Sequence, residues 1–130
     1  MTTNADITIY NRIANREKAR YEWRSHYIPA VSFYTDQKSS FGDAGTQRED
    51  IYKIRIPEES LEGYKTPEEF HEDPGTGWTV EKEDLFVVGQ FGEIDGIKDL
   101  EKLHRAYGTV KSWSDNRRGC TAHIRITGGV

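Results

Sequence analysis

Arg20-Tyr21-Glu22-Trp23-Arg24-Ser25-His26-Tyr27 alternates two kinds of side chain: Tyr21, Trp23, Ser25 and Tyr27 on one side, Arg20, Glu22, Arg24 and His26 on the other. A period of two belongs to an extended chain with one face in the core and one in water. The same period recurs outward from it. Upstream, Ile7-Thr8-Ile9-Tyr10 reads as a first strand. Downstream, Pro29 is expected to end the second strand, and Val31, Phe33 and Thr35 begin a third. Tyr52, Ile54 and Ile56 alternate with Lys53 and Arg55 in a fourth, stopped at Pro57. Trp78-Thr79-Val80, Leu85-Phe86-Val87-Val88-Gly89, 109–114 and 121–127 complete eight short strands.

Between them lie segments of another kind. Residues 36–50 are polar, hold Gly42 and Gly45, and read as a long loop with Phe41 as its apolar anchor. Thr66-Pro67-Glu68-Glu69 is a helix start: Thr66 caps, Pro67 suits the first helical position and Glu69 completes a capping box. Pro74 and Gly75 keep that helix short. Ile97, Leu100, Leu103, His104 and Tyr107 fall at helical spacing with Gly108 as C-cap, which predicts a longer helix over 97–107. Asp115-Asn116-Arg117-Arg118-Gly119 reads as a hairpin turn. The expected class is mainly β: a small β-barrel of about eight short strands with one short and one longer helix, since closure removes exposed edges.

With 130 residues there is room for one domain, 1–130, within which 1–5 reads as a flexible N-terminus. Apolar runs are far shorter than the roughly 20 residues that span a bilayer, so no membrane partner is expected. The first six residues hold neither a basic nor an apolar region, so no signal peptide is read there. The net charge of −4 conceals an asymmetry. Residues 57–84 carry ten acidic and two basic side chains, whereas 1–30 and 105–130 are net positive by two and four. The 57–84 insert is either a solvated loop or a surface by which copies meet head to tail or meet charged partners.

Catalytic groups are sparse in the sequence. Cys120 and His123 are three apart in an expected strand, which points them to opposite faces and leaves no thiol–imidazole pair. His26, His71, His104 and His123 are scattered without metal-ligand spacing, and Glu72 and Asp73 complete no metal site. Glu58/Glu59 and Glu68/Glu69 are exposed pairs with nothing to separate their pKa values. Gly89-Gln90-Phe91-Gly92 lacks the later glycine and lysine of a phosphate loop. The aromatics among the basic residues at 20–24 suit core packing better than a platform for single-stranded nucleic acid. The expectation is a protein that is not an enzyme, with no cofactor, no catalytic residue and no metal.

The order of several motifs carries more. Ile7-Thr8-Ile9-Tyr10-Asn11-Arg12 is followed by Ile28-Pro29-Ala30-Val31-Ser32-Phe33-Tyr34 and then Tyr52-Lys53-Ile54-Arg55-Ile56-Pro57. Glu83-Asp84-Leu85-Phe86-Val87-Val88-Gly89 comes next, then Thr109-Val110-Lys111-Ser112-Trp113-Ser114-Asp115-Asn116-Arg117-Arg118 and a last strand with His123. From about residue 7 to 129 the chain resembles the small neck proteins of tailed bacteriophages and prophages, of the head-closure (stopper), head–tail joining or minor capsid type. It departs from them at Ala122-His123-Ile124-Arg125, where a more aromatic run is expected. The resemblance implies a barrel subunit of a ring in the virion neck, made in the host bacterial cytoplasm. Its partners would be copies of itself, portal or adaptor proteins above and tail proteins below, with packaged DNA nearby. Phe41, Asp43, Glu58, Glu59, Glu68, Glu69, Arg117 and Arg118 are the candidate contacts to subunits or neighbouring rings. A tail-terminator or tail-completion protein, or a β-barrel binding module outside phages, would share the size and composition.

Overall fold

The structure, a computed structural model, describes residues 3–15, 17–42, 45–73, 76–118 and 122–129, and for residues 15, 36–42 and 45–50 the backbone alone. It is mainly β. Six antiparallel strands share one sheet: β1 (Ala5–Asn15), β2 (Arg20–Gly42), β3 (Gly45–Pro57), β4 (Leu85–Val88), β5 (Tyr107–Asp115) and β6 (His123–Gly129). Two short helices, α1 (Pro67–Glu72) and α2 (Ile97–Glu101), and a 3-10 turn at Glu58–Ser60 accompany them. Neighbours run β1-β2-β3-β6-β5-β4, and β4 pairs back onto β1, so the ladder of hydrogen bonds returns to its start. That seam is short, with 7–10 of β1 facing the four residues of β4.

The strand count is six rather than eight, for two physical reasons. The expected second and third strands are one, because Pro29 does not stop β2. The register with β1 shifts between Ile7↔Ile28 and Ala5↔Val31, so Pro29 lies in a bulge, where the ladder does not require its missing N–H. Trp78-Thr79-Val80 is no strand: apart from one parallel bridge of Tyr64 with Trp78, it packs by side chains. β2 thus serves two neighbours in turn, β1 along 20–31 and β3 along 32–42.

Three further expectations change. Residues 36–42 and 45–50 are not a loop: their backbone forms a hairpin arm with seven pairs, from Asp36↔Ile51 to Gly42↔Gly45. Those residues of β3 pair with β2 alone, since β6 begins its pairing at Tyr52. The longer helix is absent, and α2 is even shorter than α1. His104 takes a left-handed φ of 54°, which stops the helical turns, and Tyr107 and Gly108 open β5 instead. Gly108 is needed for close packing, because a Cβ there would lie 2.9 Å from the carbonyl carbon of Gly129. Within the N-terminal lead-in, residues 4 and 5 are tied down. Asn4 donates from Nδ2 to the Phe33 carbonyl at 2.9 Å, accepts from the Phe33 N–H at 2.8 Å, and Ala5 already belongs to β1.

The alternation places Ile7, Ile9, Ile28, Ile54, Ile56, Phe86, Val110, Ile124 and Ile126 in one buried core. A second, smaller core forms on the other side of β1 and β4. Tyr10, Leu85 and Val87 are covered there by the 89–106 connection through Ile94 and Leu100. Thr8 fastens that connection, donating from Oγ1 to the Gly89 carbonyl at 2.8 Å and accepting from the Phe91 N–H at 3.2 Å.

Candidate functional site

Antiparallel pairing brings the β1–β2 turn, the β5–β6 turn and the whole 57–84 segment to one end of the sheet. There the acidic insert proves to be half core. Phe70, Trp78 and Val80 are fully buried. The Trp78 ring stacks on His26 with centroids 4.8 Å apart, takes Tyr64 edge-on at 5.2 Å, and donates from Nε1 to the Glu62 carbonyl at 2.9 Å. Eight of its ten acidic side chains lie on the outside: Glu58, Glu59, Glu62, Glu68, Glu69, Glu72, Asp73 and Glu83 are exposed.

A buried polar knot anchors the segment to β1. Asn11, 1% exposed, donates to the Thr79 carbonyl at 2.6 Å and to Asp84 Oδ2 at 2.9 Å, and accepts from the Thr79 N–H at 3.1 Å. Asp84 also accepts from the N–H groups of Arg12 at 3.0 Å and Glu81 at 2.9 Å. Burial raises its carboxyl to about 6 against the lowering effect of those three donors. All the oxygens engaged here hold backbone, so the knot is structural. His26 is displaced the other way: burial first, and the Arg24 charge second, lower its pKa.

Arg117 lies on the β5–β6 turn and reaches back. Its guanidinium forms a fork with Asp115, at 2.8 Å from Nε to Oδ1 and 2.7 Å from Nη2 to Oδ2, and lies 5.1 Å over the Tyr64 ring. This arginine bonds hold Asp115 below its ordinary pKa. The candidate contact is therefore engaged with its own chain, while Arg118 is exposed beside it. Glu58 and Glu59 form the 3-10 turn after β3. Glu68 and Glu69 open α1, where Glu69 is committed to the capping box with Thr66. Phe41 is in the arm with only its backbone described, and Asp43 and Cys120 lie outside the described residues. The candidate contacts thus divide into one carboxylate-rich end and the arm; they do not converge on one site.

A surface not singled out in the sequence lies on the outer face of β2, β3, β6 and β5. Register places Ser32, Arg55, Arg125 and Ser114 in one rung across the four strands, and Tyr34, Lys53, Thr127 and Ser112 in the next. Arg55 and Arg125 are directly opposite one another. Among the described residues no carboxylate shares these rungs. Arg55 lies 5.8 Å from the Tyr34 ring, and its Nε is buried without an acceptor. The signal was present as alternation in Lys53-Ile54-Arg55-Ile56 and Ile124-Arg125-Ile126, but only the pairing of β3 with β6 joins the two cations.

Among the described residues no three His, Cys, Asp or Glu side chains converge as metal ligands. No helix there is long and apolar enough to cross a membrane. The model of a family of unknown function, DUF6751, matches residues 1–129. No curated protein matches the chain.

Proposed function

We propose, for a chain that belongs to the DUF6751 family of unknown function, that it is a non-enzymatic structural subunit of a bacteriophage head–tail connector. We read the closed ladder of strands as a small barrel and the subunit as one of a ring between portal or adaptor and tail. The observation that carries this most is the arm. Seven residue pairs extend beyond the β3–β6 pairing, about 23 Å of hairpin at roughly 3.3 Å per residue. A hairpin paired only with itself is marginal and gains stability by lying on something else. A neighbouring subunit or ring is such a support. The motif order from residue 7 to 129 adds the phage context, and the opposed charge of insert and sheet face suits heterologous contacts between copies.

The test is genetic and structural. Deleting the gene from an inducible prophage is expected to leave DNA-filled heads and unattached tails, and the protein is expected in purified particles at the neck. Joined, infectious particles after deletion, or particles without the protein, would overturn the proposal. Label at the far side of the tail tube's first ring would place it as a tail-terminator instead.

A further inference from the structure

The two-rung basic face poses an energetic question. Arg55 and Arg125 face one another across β3 and β6, where Cβ atoms are about 5 Å apart and like charges destabilise the pair. Neither arginine forms an ion pair among the described residues, and the buried Arg55 Nε has no acceptor. The helix α1 poses the opposite one. Glu68 and Glu72 are exposed and stand at i and i+4, an arrangement of like charges that weakens a helix. Each arrangement gains from the charge of the other.

We infer that the Arg55/Arg125 face of one subunit receives the acidic helix α1 of a second copy. The spacing agrees. Glu68 and Glu72 are separated by about 6 Å along the helix, at 1.5 Å per residue. The two rungs of the face are separated by about 6.6 Å, two residues of strand. One carboxylate then meets the Arg55–Arg125 rung, and the other meets the hydroxyls of Tyr34, Thr127 and Ser112 in the next rung. Arginine binds carboxylate through a forked pair of hydrogen bonds, and the serine and threonine hydroxyls flanking the cations supply further donors. Helix and face are different patches of one chain, a pairing that can be made head to tail and so propagate from copy to copy. Nucleic acid is the competing anion for this face. Two arginines on a chain of net charge −4 give few phosphate contacts and little counterion release, whereas a second copy brings its carboxylates at equal stoichiometry.

This inference deepens the ring reading above and rests on it, but is tested without particles. Self-association of the full chain is followed by sedimentation velocity in about 20 mM and about 300 mM salt. Wild type should associate with concentration, at least about tenfold more weakly in the higher salt. Arg55→Glu with Arg125→Glu, and separately Glu68→Arg with Glu72→Arg, should each weaken association about tenfold or more while the chain stays folded by circular dichroism. An equimolar mixture of the two variants should restore it to within about threefold, because each supplies the charge the other now needs. Arg55→Ala with Arg125→Ala gives the same test of the face should the reversed pair not fold. A wild type that stays monomeric, association untouched by the variants, or folded variants that fail to complement would each overturn the inference. So would binding of a 30-nucleotide single strand or duplex that is lost with the arginines while association persists. Complementation by a protein that is absent from particles would uphold this contact and remove the connector assignment.

Discussion

Two titratable groups packed at the insert, buried Asp84 and half-buried His26, respond to acid in opposite ways. The folded-state pKa of Asp84, about 6, lies above the ordinary 3.8, so the folded protein holds that proton more tightly than the unfolded chain. Its contribution to stability is full below about pH 4 and is lost as pH rises through 6. His26 has a lowered pKa, so its contribution is present above about 6.5 and is lost as pH falls below that value. Between pH 5 and 7 the two partly cancel, and removing either exposes the other. Asp84→Asn should therefore cost more at pH 5 than at pH 7, by on the order of 1 kcal/mol. His26→Phe, which keeps an aromatic ring against Trp78, should make stability fall more steeply as pH rises from 5 to 7. Urea unfolding across that range checks both, and parallel curves for wild type and variants would contradict the assignment. In the sequence Asp84 was one acidic residue among ten. The positions of Asn11 and Thr79 distinguish it, and they are joined to it only through the fold.

At the level of elements, the acidic insert behaves as part of the core beneath the sheet and less as an appendage. Trp78 has no regular secondary structure of its own and is nevertheless fully buried, between His26 of β2 and Tyr64. Trp78→Ala should destabilise the protein by about 3–5 kcal/mol, the range for emptying a large aromatic site. Loss of the cap in Thr66→Ala should cost only about 1 kcal/mol, because it affects one short surface helix. Thermal or urea unfolding ranks the two. A Trp78 variant no worse than the Thr66 variant would return the segment to the status of a loop. The capping box itself was fully legible, since all its partners lie within four residues. Trp78 was read as a strand because apolar alternation over three residues does not distinguish a ladder from a plug.

For the whole molecule, the ring of pairings does not depend on the arm. The last β3–β6 pair is Tyr52↔Gly128, and everything from Asp36↔Ile51 outward pairs only within the hairpin. Replacing 37–50 with a two-residue Asn-Gly turn should leave a folded monomer, with a melting temperature within about 4–8 °C of wild type, the shift expected from about 1 kcal/mol. The same truncation should abolish connector assembly in particles. A truncated chain that unfolds would instead show the arm to be part of the fold.

What could be read along the chain was everything governed by near neighbours. The mainly β class, the inward-facing isoleucines, the capped start of α1 and the turn before Arg117 all follow from alternation and local hydrogen bonding within a few residues. The count of strands was misjudged where a local rule met a distant partner. Pro29 breaks a strand unless the neighbour is offset, and the offset lies 24 residues earlier, between Ala5 and Ile7. Residues 36–50 look like a loop because their composition is polar, but the extended conformation of 36–42 and 45–50 is supported by pairing between the two halves of a hairpin. The basic face is the clearest case. Arg55 and Arg125 each looked like an ordinary wet residue of an alternating strand, and 70 positions separate them in the sequence. A lone cation at the surface is well solvated; the register of β3 and β6 sets two with Cβ atoms about 5 Å apart, and the fold alone brings them together.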